Sequence, residues 1–401
     1  LMATLWGVGA RGEGFESLPS VMHFTLPLAG ARVLGLCSRF LRSEDRETGI
    51  FRVLSRLPSH YGALPAKNAL VQFIGGAFAL GSGLSGGREG PGVHLGGAVN
   101  SLIGQRLNLP SNSLRVLIAC GTAGGIAAAF NTPLAGVIFA MEVIVAEYTV
   151  VGFIPVILAA VSASAVSRTL AGGGAVFAIP ELQLASLAEI PFIILLGFIC
   201  GLAAVAFIRV AGFTARFSHI DVTLRFALAG LITGALAWFV PEIMGIGYDT
   251  LNLALNGQVA VTALIVIAVA KIMATAISAG AGMPIGIIGP NLLIGACIGG
   301  ALGHIGQQLM PELASHPNLY ILIGMGAAMG AVMNAPLAAI LAVIELTHSI
   351  TVSMPAMLAI VAANLTCNGV FHQRALHQTL LRQLQRTVPD DPLNQLLHLS
   401  L

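Results

Sequence analysis

Residues 121–143 read GTAGGIAAAFNTPLAGVIFAMEV, and residues 324–346 read GMGAAMGAVMNAPLAAILAVIEL. The two align without a gap, with Asn131, Pro133 and Glu142 falling on Asn334, Pro336 and Glu345. A second match lies upstream, where Gly90-Pro91 and Leu95-Gly96 face Gly289-Pro290 and Ile294-Gly295. The chain is therefore an internal duplication with a period of about two hundred residues. Each copy carries a helix opening on Gly-Pro and an Asn-x-Pro interruption. Proline removes a backbone donor and presets φ, so it ends one helix and suits the first turn of the next.

Composition sets the environment. Of 401 residues, 56% are hydrophobic and 9% charged, with mean hydropathy +0.89, where soluble domains carry about 25% charged residues. The chain reads as an all-α polytopic membrane protein. Apolar blocks fall near 21–41, 66–83, 91–106, 114–130 and 133–171, then near 190–215, 223–240, 258–280, 287–307, 317–346 and 354–371. Many are shorter than the roughly 20 residues of a simple span, and 48 Gly and 19 Pro cut them. Non-helical backbone at membrane depth survives only inside protein or along a water-filled cavity, so the breaks point to an internal ion path. In repeat-built transporters such a site sits near the midplane, where the two copies meet. The order of elements leaves inverted and parallel repeats open, though an odd number of crossings per copy forces inversion.

The net charge of +2 lacks the clustered basic face that nucleic acid requires. Basic residues gather at Arg39, Arg42, Arg46, Arg52 and Arg56, at Arg209, Arg216 and Arg225, and at Arg374, Arg382 and Arg386. By the positive-inside rule all three regions face the cytoplasm. The cysteines, at 37, 120, 200, 297 and 367, sit singly and without metal-ligand spacing; they read as small packing residues. The chain starts at Leu1 rather than Met, so its true start is expected upstream and no signal peptide is assigned.

Within this apolar background, Gly86-Gly87-Arg88-Glu89-Gly90-Pro91 places a carboxylate in a glycine-rich break. A charge at membrane depth costs roughly 2.5 to 17 kcal/mol and persists mainly on ion or proton paths. Glu89 is the first functional candidate. The plainer alternative, neutralisation by Arg88, is disfavoured because adjacent helical side chains diverge. The helix openings themselves suit an anion: unpaired N–H groups and the positive end of the dipole stabilise negative charge by about 0.3 to 2 kcal/mol each. Several such ends hold chloride without trapping it. A cation path would want rings of carboxylates or carbonyls, and Glu89, Glu142 and Glu345 are the acids this reading finds in the blocks.

GREGP at 87–91, the paired Asn-x-Pro-Leu-Ala segments and GIIGP at 286–290 resemble the CLC family of chloride channels and chloride/proton antiporters, from about residue 40 to the tail. The resemblance implies a homodimer with one pore per subunit, two inverted repeats, and chloride held by helix N-termini with no other cofactor. It makes Glu89 the gate, flanked by Arg88 and Gly90. It assigns anion contacts to Gly286, Ile287 and Ile288. Three departures matter. The family's first motif, Gly-Ser-Gly-x-Pro, becomes Glu47-Thr48-Gly49-Ile50-Phe51, so Thr48, Gly49 and Ile50 take that place. The antiporters' inner proton-transfer glutamate becomes Val143. The inner-gate tyrosine becomes His377.

The last two departures favour uncoupled flow, so the sequence predicts a voltage- or pH-gated chloride channel. The alternative is a chloride/proton antiporter with an atypical proton route through His377 or water, since imidazole titrates near neutrality. Expected partners are chloride or similar anions, protons, membrane lipid and a second copy, with no nucleic acid. The expected setting is a bacterial plasma membrane with the C-terminus cytoplasmic. The repeats are placed at 1–172 and 173–372, followed by a cytoplasmic helix and tail at 373–401 in which Leu376, Leu380, Leu381, Leu384 and Leu396 form an apolar stripe, and no nucleotide-binding module is expected.

Other residues carry duller readings. His94 is expected to find a backbone partner, Glu142 and Glu345 to satisfy donors at helix ends, and Met325, Met329 and Met333 to pack. Gly83-Leu84-Ser85-Gly86-Gly87 fits the G-x-S-x-G pattern of hydrolases, but the strand-turn-helix context and a surrounding histidine and acid are missing. No enzyme activity is expected. A sodium-coupled carrier with the same repeat logic is the remaining rival.

Overall fold

The computed structural model describes residues 13–146, 150–171, 184–309, 311 and 314–384. These fold into helices, with no strand among the described residues beyond one isolated backbone bridge. The first copy comprises α1 (Ser20–Arg39), α2 (Gly49–Ser59), α3 (Ala66–Gly81), α4 (Glu89–Arg106), α5 (Ser111–Phe130), α6 (Pro133–Phe139, continued as a wider turn over Ala140–Val145) and α7 (Val150–Ala171). Then α8 (Ile190–Ala215) intervenes. The second copy comprises α9 (Val222–Phe239), α10 (Tyr248–Leu255), α11 (Val261–Gly280), α12 (Ile288–Leu309), α13 (Pro317–Met333), α14 (Pro336–Thr347) and α15 (Ser353–Asn364, continued over Leu365–Val370). A terminal helix, α16 (Leu376–Gln383), closes the described chain.

Among the described residues, α1 to α7 and α9 to α15 follow one another in the same order of longer and shorter helices. Inversion is visible where equivalent residues meet. Gly87 and Gly286 exchange two backbone hydrogen bonds of 2.7 Å in an antiparallel bridge, which requires the two segments to run in opposite directions. Among the described residues, eight helices are long and apolar enough to cross a membrane. The helix bearing Glu89 is not among them.

The duplicated sequence features have physical causes. Gly96 on α4 meets Gly121 on α5 so closely that a Cβ on Gly96 would lie 2.1 Å from the Gly121 carbonyl oxygen. On α12 and α13, a Cβ on Gly295 would lie 2.0 Å from the Gly324 oxygen. Apolar lipid gives helices little hydrophobic reason to associate, so small residues that admit close backbone contact do the work.

The Asn-x-Pro breaks are alike too. Asn131 (φ 58°) and Asn334 (φ 52°) take the left-handed conformation that ends a helix, which asparagine tolerates better than most residues. Both side chains are pinned by the last helix of their own copy. Ser164 and Arg168 donate to Asn131 Oδ1 at 2.7 and 2.6 Å, and Asn368 donates to Asn334 Oδ1 at 2.6 Å. Consequently the block read as continuous at 317–346 is two helices; the block at 133–171 is also two, the first ending after Val145 at a left-handed Ala146 (φ 55°). The short α2 and α10 lie between blocks and escaped the apolar pattern altogether.

Glu142 and Glu345 tie the copies together. The Glu142 carboxylate accepts from the N–H groups of Leu337 and Ala338 at 3.2 and 2.8 Å, and Glu345 accepts from Leu134 and Ala135 at 2.9 and 2.8 Å. Each acid caps the opposite copy's proline-initiated helix, where an anion is favoured. Met325, Met329 and Met333 are buried, and all five cysteines are free, four of them buried. The repeat boundary near 172 and the tail residues Arg386 and Leu396 lie outside the described residues.

Candidate functional site

The opening of α4 meets the opening of α12 at the Gly87–Gly286 bridge. Close approach is obligatory there, because a Cβ on Gly90 would sit 2.8 Å from Gly286 Cα and one on Gly286 would sit 2.6 Å from Gly87 oxygen. Glu89 starts α4 with 0% of its surface exposed. Its Oε2 accepts from the Gly289 N–H at 3.2 Å, and its Oε1 accepts from the Tyr248 hydroxyl at 2.5 Å. Both donors come from the second copy. Arg88 turns away, donating to the Ala129 carbonyl at 3.3 Å and lying 5.6 Å from the Tyr248 ring centroid. Glu89 is thus held by neutral donors rather than by its basic neighbour.

The loop from Ile243 to Tyr248 forms the roof of this site. The Lys271 ammonium, 0% exposed, donates to the Ile243 and Gly245 carbonyls at 2.9 Å each. Glu13 accepts from Ile246 and Gly247 N–H at 2.9 and 3.2 Å, and Gly86 N–H reaches the Gly245 carbonyl at 3.1 Å. Burial pushes the Glu13 carboxyl up to about 7, against the pull of the Lys271 charge. Asp249 accepts from the backbone N–H groups of Glu13 and Gly14. Sequence reading missed Tyr248, Lys271 and Glu13. A lone lysine inside the apolar run 258–280 was the available signal; Tyr248 and Glu13 carried none, lying outside every apolar block.

Thr48 is extended (φ −136°, ψ 175°) and Gly49 is left-handed (φ +73°), so α2 starts without the proline of the expected motif. What fixes this turn instead is a polar clamp. Arg52 pairs with Glu47 at 2.8 Å, and the Asn68 amide faces the carbonyls of Glu44, Asp45 and Glu47 at 3.1 Å each. Arg52 is therefore buried in a structural pair and not free on a basic face. The Gly49 N–H donates to His94 Nδ1 at 3.2 Å. His94 has the backbone partner expected of it, and Gly49 spends on it the donor that an anion would have used. Gly286 likewise gives its N–H to Gly87. Ile287 and Ile288 are buried where α12 begins, and a helix leaves its first N–H groups without internal acceptors.

Thr48 lines a cavity of about 190 Å³, together with Arg46, Phe51, Arg225, Leu380 and Leu381 among others. Two of the basic regions and the terminal helix thus converge on the approach to α2. Ile50 is buried behind it. His377 lies one turn before Leu380 and Leu381, is 7% exposed, and has no partner for Nδ1. Burial pushes its imidazole down to about 4, so it is neutral at physiological pH. That lies below the range near neutrality on which the expected proton relay rested.

Val143 is 6% exposed and offers no polar atom. Ser85 is fully buried and its hydroxyl meets Thr275 Oγ1 at 2.7 Å, an arrangement without a base. Among the described residues no group of histidine, cysteine and acidic side chains is placed to hold a metal ion.

Two inverted copies of interrupted helices, meeting tip to tip around one buried acid, define a membrane transport protein of the CLC architecture. The voltage gated chloride channel family matches residues 29–368, and the chain belongs to it. A putative chloride channel protein ClcB-like from Ralstonia nicotianae is 32% identical over 96% of this chain and 92% of its own. The H(+)/Cl(-) exchange transporter ClcA from Vibrio vulnificus is 34% identical over 81% of this chain and 71% of its own. In fold, the crystal structure of a slow cyanobacterial Cl-/H+ antiporter superposes with a TM-score of 0.81 at 24% identity, covering 91% of this chain and 87% of that one. The protein is not an enzyme.

Proposed function

We propose that this protein moves chloride across a bacterial plasma membrane in exchange for protons, with Glu89 as the gate. One observation carries the reading: the Glu89 carboxylate sits, fully buried, on donors from the opposite copy. That is a seat for an anion, and the side chain fills it. Protonation removes the charge that these donors stabilise, so Glu89 leaves and chloride takes its place. The first-turn N–H groups of Ile287 and Ile288 and the backbone at Gly90 supply the remaining contacts, with Arg88 drawing anions toward the mouth. Thr48 receives the ion from the cavity it lines, where Arg46 and Arg225 raise local anion concentration.

Exchange, the reading the sequence ranked second, gains support from relatives named as exchangers. Uncoupled conduction keeps one specific observation in its favour, the buried apolar Val143. In that reading voltage acts on the permeating ion, at about 2.3 kcal/mol per elementary charge per 100 mV. We place the C-terminus in the cytoplasm by the positive-inside rule and the working unit as a homodimer in lipid. The deciding experiment measures chloride efflux from proteoliposomes with a pH electrode in the bath. Stoichiometric uphill proton movement driven by a chloride gradient is the expected result. Chloride flow without it leaves the channel reading, and no halide flow at any pH removes both.

A further inference from the structure

We propose that Tyr248 is a latch: its phenol holds the Glu89 carboxylate in the closed seat and sets the acidity at which the gate lets go. This rests on the reading of Glu89 as the gate. Tyr248 is a positioning residue, acting on the ion only through that carboxylate.

Each Glu89 oxygen has its own donor, the hydroxyl on Oε1 at 2.5 Å and the Gly289 N–H on Oε2 at 3.2 Å. The backbone donor is built into α12. The phenol, by contrast, is carried on the first residue of α10, and its placement is secured from several directions. Arg88 lies over the ring, at a distance where a guanidinium is attracted to an aromatic face. The preceding loop has its carbonyls held by Lys271 and its N–H groups held by Glu13. A side chain whose rotamer and supporting loop are both locked meets the requirement for holding a reactive group in one geometry.

A hydrogen bond donated to an ionised acceptor is stronger than one to a neutral acceptor, and it favours the charged form. The phenol therefore grips Glu89 while it is ionised and loosens when a proton arrives. Removing the hydroxyl should let the gate open at weaker acidity. The other ionisable groups around the latch are Arg88 next to Glu89, Lys271 from α11, Glu13 from the segment before α1, and Asp249 beside Tyr248. Tyr248→Phe alters none of them and keeps a ring beneath Arg88.

The test measures chloride flux from proteoliposomes over a pH series for wild type, Tyr248→Phe, Glu89→Gln and the double variant. The Phe variant should shift the midpoint of acid activation upward by about one pH unit, a tenfold change in proton concentration. Glu89→Gln should be flat with pH, and the double variant should match it. A flat Glu89→Gln with an unshifted Tyr248→Phe overturns the latch alone. A Glu89→Gln that keeps the wild-type acid response overturns the gate and the latch together. If the Phe variant does not elute as folded protein, 3,5-difluorotyrosine introduced at 248, nearly isosteric and a stronger donor, must move the midpoint to lower pH. No movement there also overturns the latch.

Discussion

The segments Gly87–Pro91 and Gly286–Pro290 share a backbone and differ in what they carry. Both open a helix, and they are bridged to each other through equivalent glycines. Aligned on their glycines, the first presents Glu89 where the second presents Ile288. Duplication thus supplies the glycine-proline helix opening twice, while the acid is supplied once. The loops before α2 and α10 repeat the lesson. A polar side chain from the third helix of each copy holds the loop carbonyls, but in the first copy it is the Asn68 amide and in the second the Lys271 ammonium. Symmetry fixes the scaffold, and the departures from it mark where function was placed.

The largest expected consequence follows from exchanging the contents of the two openings. Glu89→Ala should make chloride flux insensitive to pH, its ratio between acid and neutral conditions falling to one. Ile288→Ala should leave the acid response in place, because it removes no titrating group. Flux measurements that found equal acid responses in both variants would mean that the openings are functionally alike and that gating lies elsewhere.

The scaffold was readable from the chain because its determinants are local. Asn131 and Asn334 end helices through backbone conformation, Pro133 and Pro336 start them, and the glycines at 96, 121, 295 and 324 permit close crossings; all leave marks at fixed spacing. Glu89 was readable because a lone acid in an apolar stretch is costly. What surrounds Glu89 was not. Tyr248 is 159 residues away in sequence, and its role depends on a loop whose supports, Glu13 and Lys271, come from two further regions. The expected motif at Glu47–Phe51 lacked its proline, and the compensation by Arg52 and Asn68 is a tertiary event that spacing does not reveal. The burial of His377 was hidden for a related reason: residue type suggests titration near neutrality, and the packing that lowers it is set by the fold.

A smaller effect separates the two loop grips. Lys271→Met orphans the Ile243 and Gly245 carbonyls, both in buried residues, at about 1–3 kcal/mol each. Relief from burying an ammonium works in the opposite direction, leaving a net loss of about 2 kcal/mol. Asn68→Leu should cost less, about 1 kcal/mol, because Glu44 is exposed and Asp45 half-buried, so water can replace the amide. Thermal unfolding in detergent should rank the two variants in that order, and the reverse order would mean that the ammonium contributes nothing to the roof over Glu89.

The smallest effect concerns α16, which belongs to neither copy. Burial lowers the His377 imidazole from 6.5 to about 4, so the unfolded chain binds the proton more readily than the folded one. Stability that is whole above pH 6.5 must therefore decline as pH falls toward 4. The full span amounts to about 3 kcal/mol, of which little is felt near neutrality. His377→Phe, which keeps a ring in the same space, should flatten the fall of Tm between pH 6.5 and 4 while leaving Tm at neutral pH nearly unchanged. The same variant should leave the acid response of chloride flux intact, since that response is assigned to Glu89. Loss of the flux response with unchanged Tm would instead place a proton on His377 during transport and give the asymmetric helix a share in the gating now attributed to the first opening alone.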